Sequence, residues 1–351
     1  MGARMDTVTK GAMDFEPEAL ADFLAETFGG KAPVTIERIA GGQSNPTYFV
    51  TRGDVRLVLR KQPGGPILRG AHAIDREYRV LEALHPQGVP VARPILYHAD
   101  PDLLGTPCYL MERIEGRVFA DGALAAADKA ERHALWMGLA DAMAAMHNVR
   151  PEAVGLEDFG KPGNYFARQI ARWSRQWEES QSDPIPELDE LSAWLVEHQP
   201  QDDGRVSLAH GDYRMGNVIF HPTEPRVAAI LDWELSTLGH PLADLGYCCM
   251  AWHTVPEEYG GLLGLDLAAE NLPTEEAFVK RYMSHCPDLP PLTSFHKAFA
   301  LFRFSVIWVG IADRVRAGNA AGAGGADPVH LARCFARRGL EVIERGSREL
   351  H

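Results

Sequence analysis

"SLAHGDYRMGNVIF", residues 207–220, is the stretch whose reading decides the fold. It sets His210, Asp212, Arg214 and Asn217 between two apolar flanks, and fifteen residues beyond Asn217 a second acid, Asp232, closes the strand-like "VAAIL". An acid, an amide five residues on and another acid after one more strand meet the needs of phosphoryl transfer to an alcohol. A carboxylate must orient the hydroxyl and take its proton, and oxygen ligands must hold the metal that bridges the phosphates. Asp212 is expected to face the hydroxyl. The amide oxygen of Asn217 and the carboxylate of Asp232 are expected to face magnesium. Gly211 permits the tight turn of "HGD", and His210 reads as a hydrogen-bonded brace. Asp and Asn also populate ordinary turns. Asp212 alone would read that way, but the three residues together, each beside strand-like sequence, do not.

Outward from this stretch the pattern changes. Upstream, "EPEALADFLAETFG" (16–29) reads as an amphipathic helix ending at Gly29-Gly30. "VTIERIAGGQSNPTYFVTRGDVRLVLRKQP" reads as three strands joined by turns. "AHAIDREYRVLEALHP" (71–86) reads as a helix with an Ile74, Tyr78, Leu81 and Leu84 stripe, followed by two more strands. Beyond, "AADKAERHALWMGLADAMAAMHNV" (126–149) opens a mostly helical remainder, with "AGNAAGAGGADP" (317–328) as a turning linker. The expected organisation is a flexible tail over 1–15, a nucleotide-binding N-lobe over 16–112 and a helical C-lobe over 113–351. The C-lobe holds the catalytic loop 207–220, a metal loop 230–246 and an acceptor segment 160–200. A nucleotide cleft between lobes is the natural expectation.

The 351 residues carry 35 Lys plus Arg against 48 Asp plus Glu, a formal net charge of -13. That balance argues against a general nucleic-acid or anionic-membrane binder, and a small-molecule acceptor is expected. Cys108, Cys248, Cys249, Cys286 and Cys334 form no C-x-x-C spacing and read as packing residues in a reducing compartment. The start shows no apolar signal region. "VIWVGIA" (306–312) is bracketed by Arg303 and Asp313 and reads as buried helix. A cytoplasmic location is expected, and oligomeric state stays open.

"HGDYRMGN" followed by "ILDWELSTLGHPLADLGY" resembles the aminoglycoside phosphotransferase-like family, from about residue 34 to 340. "NPTY", "VLRK", "AHAIDREYRVLEAL" and "MERIEGRVF" are similar to the subfamily that occurs alone in bacteria or fused to acyl-CoA dehydrogenases in animals. The resemblance implies an α+β protein-kinase-like fold, with a small β-rich N-lobe and a larger helical C-lobe. It implies ATP and Mg2+, Asp212 as base, Asn217 and Asp232 as magnesium ligands, and Asp244 as a brace under the catalytic loop. Glu234 would touch metal-bound water or stand as an exposed loop acid, and His240 would be structural. The loop over the ATP phosphates would be Gly41, Gly42, Gln43, Ser44 and Asn45, which forms neither a P-loop nor a dinucleotide fingerprint. Arg60 would replace the usual strand lysine and pair with Glu77, gripping phosphate with a different geometry. Backbone near Glu112 and Arg113 would meet the adenine edge, with Met111 and Ile114 lining its slot.

For the acceptor, Arg214 stands inside the catalytic loop, and Arg168, Arg172, Trp173 and Trp177 form i,i+4 pairs on one helical segment. Glu178 and Glu179 dilute this basic patch. Arginines beside aromatics suit an anionic or CoA-linked acceptor, and the resemblance supplies 4-hydroxyacyl-CoA as a concrete candidate. Two alternatives are a catalytically silent kinase-like binding module and an aminoglycoside or sugar-alcohol kinase. A protein kinase is disfavoured because no Ala-Pro-Glu-type element follows Asp232. No G-x-S-x-G elbow or zinc spacing supports a hydrolase.

Overall fold

A computed structural model describes residues 7–10, 13–39, 45–65, 72–317 and 327–349. Gly41, Gly42, Gln43 and Ser44 of the expected phosphate loop, and most of the expected linker at 317–328, lie outside the described residues. The fold is α+β, with a sheet-rich N-terminal region and a helical C-terminal region. The chain divides into two compact units, Met1–Gly116 with Ala228–Glu234, and Arg117–Val227 with Leu235–His351. The division falls between Gly116 and Arg117. The segment bearing Asp232 groups with the first unit, where the Ile230 N–H donates to Pro90 O at 2.8 Å.

The first unit is built on one six-stranded sheet. Its strands are β1 (Thr7–Lys10), β2 (Val34–Arg38), β3 (Thr47–Arg52), β4 (Val55–Lys61), β5 (Pro94–His98) and β6 (Cys108–Glu112), in the order β1-β2-β3-β4-β6-β5. The expected loose tail is corrected at Thr7–Lys10, which pairs parallel to β2. Along β3 burial alternates residue by residue, so Tyr48 and Val50 point inward. Leu57 and Leu59 of β4 join them, and the helix Pro17–Phe28 covers this face with Leu20 and Leu24. Adjacent strand residues point to opposite faces, which separates Arg60 from Lys61. Lys61 follows Leu57 and Leu59 into the core side, is 1% exposed, and bonds Asp14 at 2.8 Å. Asp14 also accepts from the Tyr48 hydroxyl. Arg60 lies on the other face, toward the helix Ile74–Leu84.

The second unit packs its helices around a large aromatic and aliphatic core. They include Arg132–His147, Tyr165–Glu178, Pro186–Glu197, Pro241–Cys249, Ser294–Arg316 and Pro328–Glu349. "VIWVGIA" lies in Ser294–Arg316, with Val306, Trp308 and Val309 buried. No described helix is long and apolar enough to cross a membrane. The five cysteines are free and buried. Two short strands, Ser207–Ala209 and Thr237–Gly239, pair antiparallel and hold the two ends of the polar region together.

Candidate active site

In the second unit the polar loop leaves strand Ser207–Ala209 through Gly211. Gly211 has φ +85°, and a Cβ there would lie 2.8 Å from Leu235 O. Only glycine takes this turn without strain. Asp244, in the first turn of Pro241–Cys249, accepts from the His210 N–H at 2.6 Å and the Gly211 N–H at 2.9 Å. His147 Nε2 approaches the same carboxylate at 3.1 Å. The helix N-cap is His240, whose ring accepts from the Leu242 N–H at 3.2 Å, so Asp244 is left to serve the loop. Burial penalises the Asp244 charge. The hydrogen bond and charge of His147, with His210 and the Gly211 amide, outweigh it and hold the carboxyl below its usual range. The His210 ring is fully buried and accepts from the Asp212 N–H at 3.2 Å.

Both Asp212 carboxylate oxygens are engaged. Asn217 Nδ2 donates to Asp212 Oδ2 at 2.7 Å and to Asp212 O at 2.9 Å. The Tyr247 hydroxyl donates to Oδ1 at 2.5 Å, and Arg214 Nε lies 3.4 Å from that same oxygen. Burial, with the Asp212 charge beside it, pushes the Tyr247 phenol well above its ordinary range, so it acts here as a donor. With Nδ2 turned inward, the Asn217 amide oxygen is the atom suited to a cation. Tyr247 had no role in the sequence reading. Its one signal is its place three residues after Asp244, on the same helix face.

In the first unit, Arg60 Nε lies 2.7 Å from Glu77 Oε2. Glu77 is 2% exposed and also accepts from Asn45 Nδ2 at 2.8 Å and from the Tyr109 hydroxyl at 3.0 Å. Asn45 is thus buried as a support for Glu77. Burial opposes the Arg60 charge, but the carboxylates of Glu77 and Asp232 more than offset it and raise its pKa. Arg60 Nη2 lies 3.4 Å from Asp232 Oδ1. Asp232 has φ +64°, a left-handed conformation that costs a non-glycine residue energy and marks functional turns. Glu234 is exposed and His240 buried. Met111, Glu112 and Ile114 are half-buried. The N–H groups of Glu112 and Arg113 donate to Arg93 O at 2.9 Å and Arg56 O at 3.2 Å. These two amides are used within the sheet and do not present donors to adenine.

The side chains of the expected acceptor segment make these contacts within the protein. Trp173 is 8% exposed and belongs to the helical core, and Arg303 lies over both its ring and that of Tyr247. The Trp177 indole donates to Asp189 at 2.7 Å. Arg168 bonds the carbonyls of Lys161 and Pro162, while Arg172 lies over the Trp173 ring. None of these residues lines the cavity of about 50 Å³ beside Arg214. Trp136, Tyr247, Thr254, Tyr259, Phe304 and Phe335 do. The amphipathic helix carries Arg and Trp stripes at the same spacing, and the core takes the Trp173 side.

Among the described residues no group of three or more His, Cys, Asp or Glu side chains could hold a metal ion. In the first unit the Asp232 side chain is 39% exposed.

A profile of the phosphotransferase enzyme family matches residues 35–282. The chain is 37% identical over 319 residues to acyl-CoA dehydrogenase family member 11 of Gallus gallus, covering 89% of this chain and 41% of that protein. It is also 37% identical over 318 residues to family member 10 of Mus musculus, covering 89% of this chain and 30% of that one. The chain thus spans well under half the length of these relatives. A crystal structure from Ralstonia eutropha JMP134, provisionally named an aminoglycoside phosphotransferase, superposes with a TM-score of 0.85. Its identity is 42%, over 94% of this chain and 99% of that one.

Proposed function

This chain belongs to the phosphotransferase enzyme family, whose common activity is ATP-dependent phosphoryl transfer, and we propose that it moves the γ-phosphate of ATP to a hydroxyl of a small or acyl-linked molecule, with 4-hydroxyacyl-CoA the leading candidate. The observation that carries the reading is the state of Asp212. Its carboxylate is oriented at both oxygens, by Asn217 and Tyr247, on a loop whose amides are pinned by buried Asp244. Oδ2 takes only the Asn217 amide and keeps a second lone pair, so Asp212 can still accept a hydrogen bond from the acceptor hydroxyl.

On this reading the acceptor oxygen attacks the γ-phosphorus as the bond to the β-bridging oxygen breaks. The hydroxyl proton passes to Asp212, and ADP leaves. Arg60, kept charged and oriented by Glu77, binds phosphate oxygens. Asn217 and Asp232 would hold magnesium, which supplies charge neutralisation at the phosphates. Positioning and electrostatics carry the catalysis.

The test is phosphoester formation by the purified protein with Mg-ATP and a panel of hydroxyacyl-CoAs, free hydroxy acids, sugars and aminoglycosides. Turnover of the first two classes supports the reading. Turnover confined to aminoglycosides removes the acyl-linked acceptor, and no transfer to any class removes the kinase.

A further inference from the structure

The brace under the polar loop does not end at Asp244. Its carboxylate meets His147 Nε2 at 3.1 Å, and His147 Nδ1 meets the Tyr282 hydroxyl at 2.7 Å. His147 is the last residue of the helix Arg132–His147, and Tyr282 stands on the helix Glu275–His285. All three side chains are buried, so no water competes for these bonds. Their protons fall into one consistent set. Burial pushes the Tyr282 phenol far above its ordinary range, so the hydroxyl keeps its proton. The neighbouring Cys286 thiol donates to Asn148 Oδ1 at 3.5 Å, which leaves the phenol proton to the imidazole. The Nδ1 that receives it presents a lone pair. A neutral imidazole with its lone pair on Nδ1 carries its hydrogen on Nε2, the atom that faces Asp244. The other tautomer would set a lone pair against a buried carboxylate.

The loop feels this choice because of how Asp244 is shared. Oδ2 takes both His147 and the His210 N–H, and Oδ1 takes the Gly211 N–H. A donor at His147 fixes the rotation of the carboxylate, so that each oxygen faces its own amide. A lone pair there would repel Oδ2 and turn the carboxylate away from the two amides that hold the turn before Asp212. We propose that Tyr282 is a positioning residue for this loop: it selects the Nε2–H tautomer of His147, and through Asp244 that tautomer keeps the His210 and Gly211 amides in place. The consequence for turnover rests on the reading of Asp212 as the base. The tautomer and the order of the loop are measurable without turnover.

The test uses the full chain, isotope-labelled at its histidine ring nitrogens and read by NMR. His147→Gln identifies the His147 signals by their loss. In the wild type these should report the Nε2–H tautomer, and in Tyr282→Phe a mixture of the two. Hydrogen exchange of the His210 and Gly211 amides should quicken about tenfold in Tyr282→Phe, the worth of one hydrogen bond. Where the wild type turns over, kcat should fall by about the same factor with KM for ATP unchanged. The side chain in His147→Gln can still donate to Asp244 and has no tautomer to choose. Adding Tyr282→Phe to that variant should therefore change neither exchange nor kcat any further, which separates the relay from simple packing. An imidazolium or the Nδ1–H tautomer at His147 in the wild type overturns the proposal, and this result does not depend on any Tyr282 variant folding. Loop amides unmoved by Tyr282→Phe, a kcat unmoved in an active protein, or equal changes in both backgrounds also overturn it. Faster loop exchange in a protein that transfers phosphate to no acceptor supports the relay and removes only the reading of Asp212 as base.

Discussion

The Tyr247 hydroxyl donates to Asp212 Oδ1 at 2.5 Å, across 35 residues of sequence. A donor at this oxygen holds the carboxylate in one orientation toward an acceptor hydroxyl. Tyr247→Phe should therefore lower kcat about tenfold. KM for ATP should stay within twofold. An unchanged kcat would make Tyr247 a packing residue only.

Asp212→Asn should keep ATP binding and lose about 10³-fold or more in turnover. Asp232→Ala should instead weaken magnesium-dependent nucleotide binding, read as the shift in melting temperature on adding Mg-ATP. Equal loss of binding in both variants would mean that the two acids have been given the wrong roles.

Asp244→Ala should destabilise the fold by roughly 3–5 kcal/mol, because it strips two buried loop amides and His147 of their shared acceptor. The depressed Asp244 pKa contributes stability that is present above about pH 3.8 and lost as pH falls through the lower folded value. Urea midpoints of wild type and variant should accordingly stay far apart at pH 7 and converge only in strong acid.

His296 governs a milder window. Burial, then the neighbouring His240, pushes its pKa from 6.5 down to about 3. Between those values the unfolded chain binds a proton that the folded chain excludes. Stability should fall as pH drops below 6.5, by about 1.4 kcal/mol per pH unit. His240, lowered in the same direction by burial, adds to the slope. Comparing denaturation midpoints at pH 7.5 and 5.5 for wild type and His296→Gln checks this, and a slope unchanged in the variant would clear His296 of the effect.

What could be read from the chain alone was local. The five-residue spacing of Asp212 and Asn217 spans one short 3-10 turn, Met215–Asn217, and that turn returns the amide to the carboxylate. Arg60 and Glu77 sit on a patterned strand and a patterned helix, so their faces were legible too. Tyr247 was not, because its partnership depends on how one helix packs against a loop. Thr7–Lys10 was missed because four residues carry too little periodicity, and a parallel partner at Val34–Arg38 leaves no hairpin signal. The burial of Trp173 was not legible, because its spacing is shared with exposed arginines and only the core decides which stripe turns inward.

The pairing of Lys61 with Asp14 sets a limit on how far the chain can be trimmed. An ammonium that is 1% exposed depends on one carboxylate that stands ahead of the first helix. A version beginning at residue 15 would keep every strand from β2 onward and every proposed catalytic group. It would also leave a buried cation without its counter-charge under the sheet, a defect that typically costs several kcal/mol. Asp14 thus acts as the electrical ground of the sheet, and a chain shortened past it is expected to fail there, far from its chemistry.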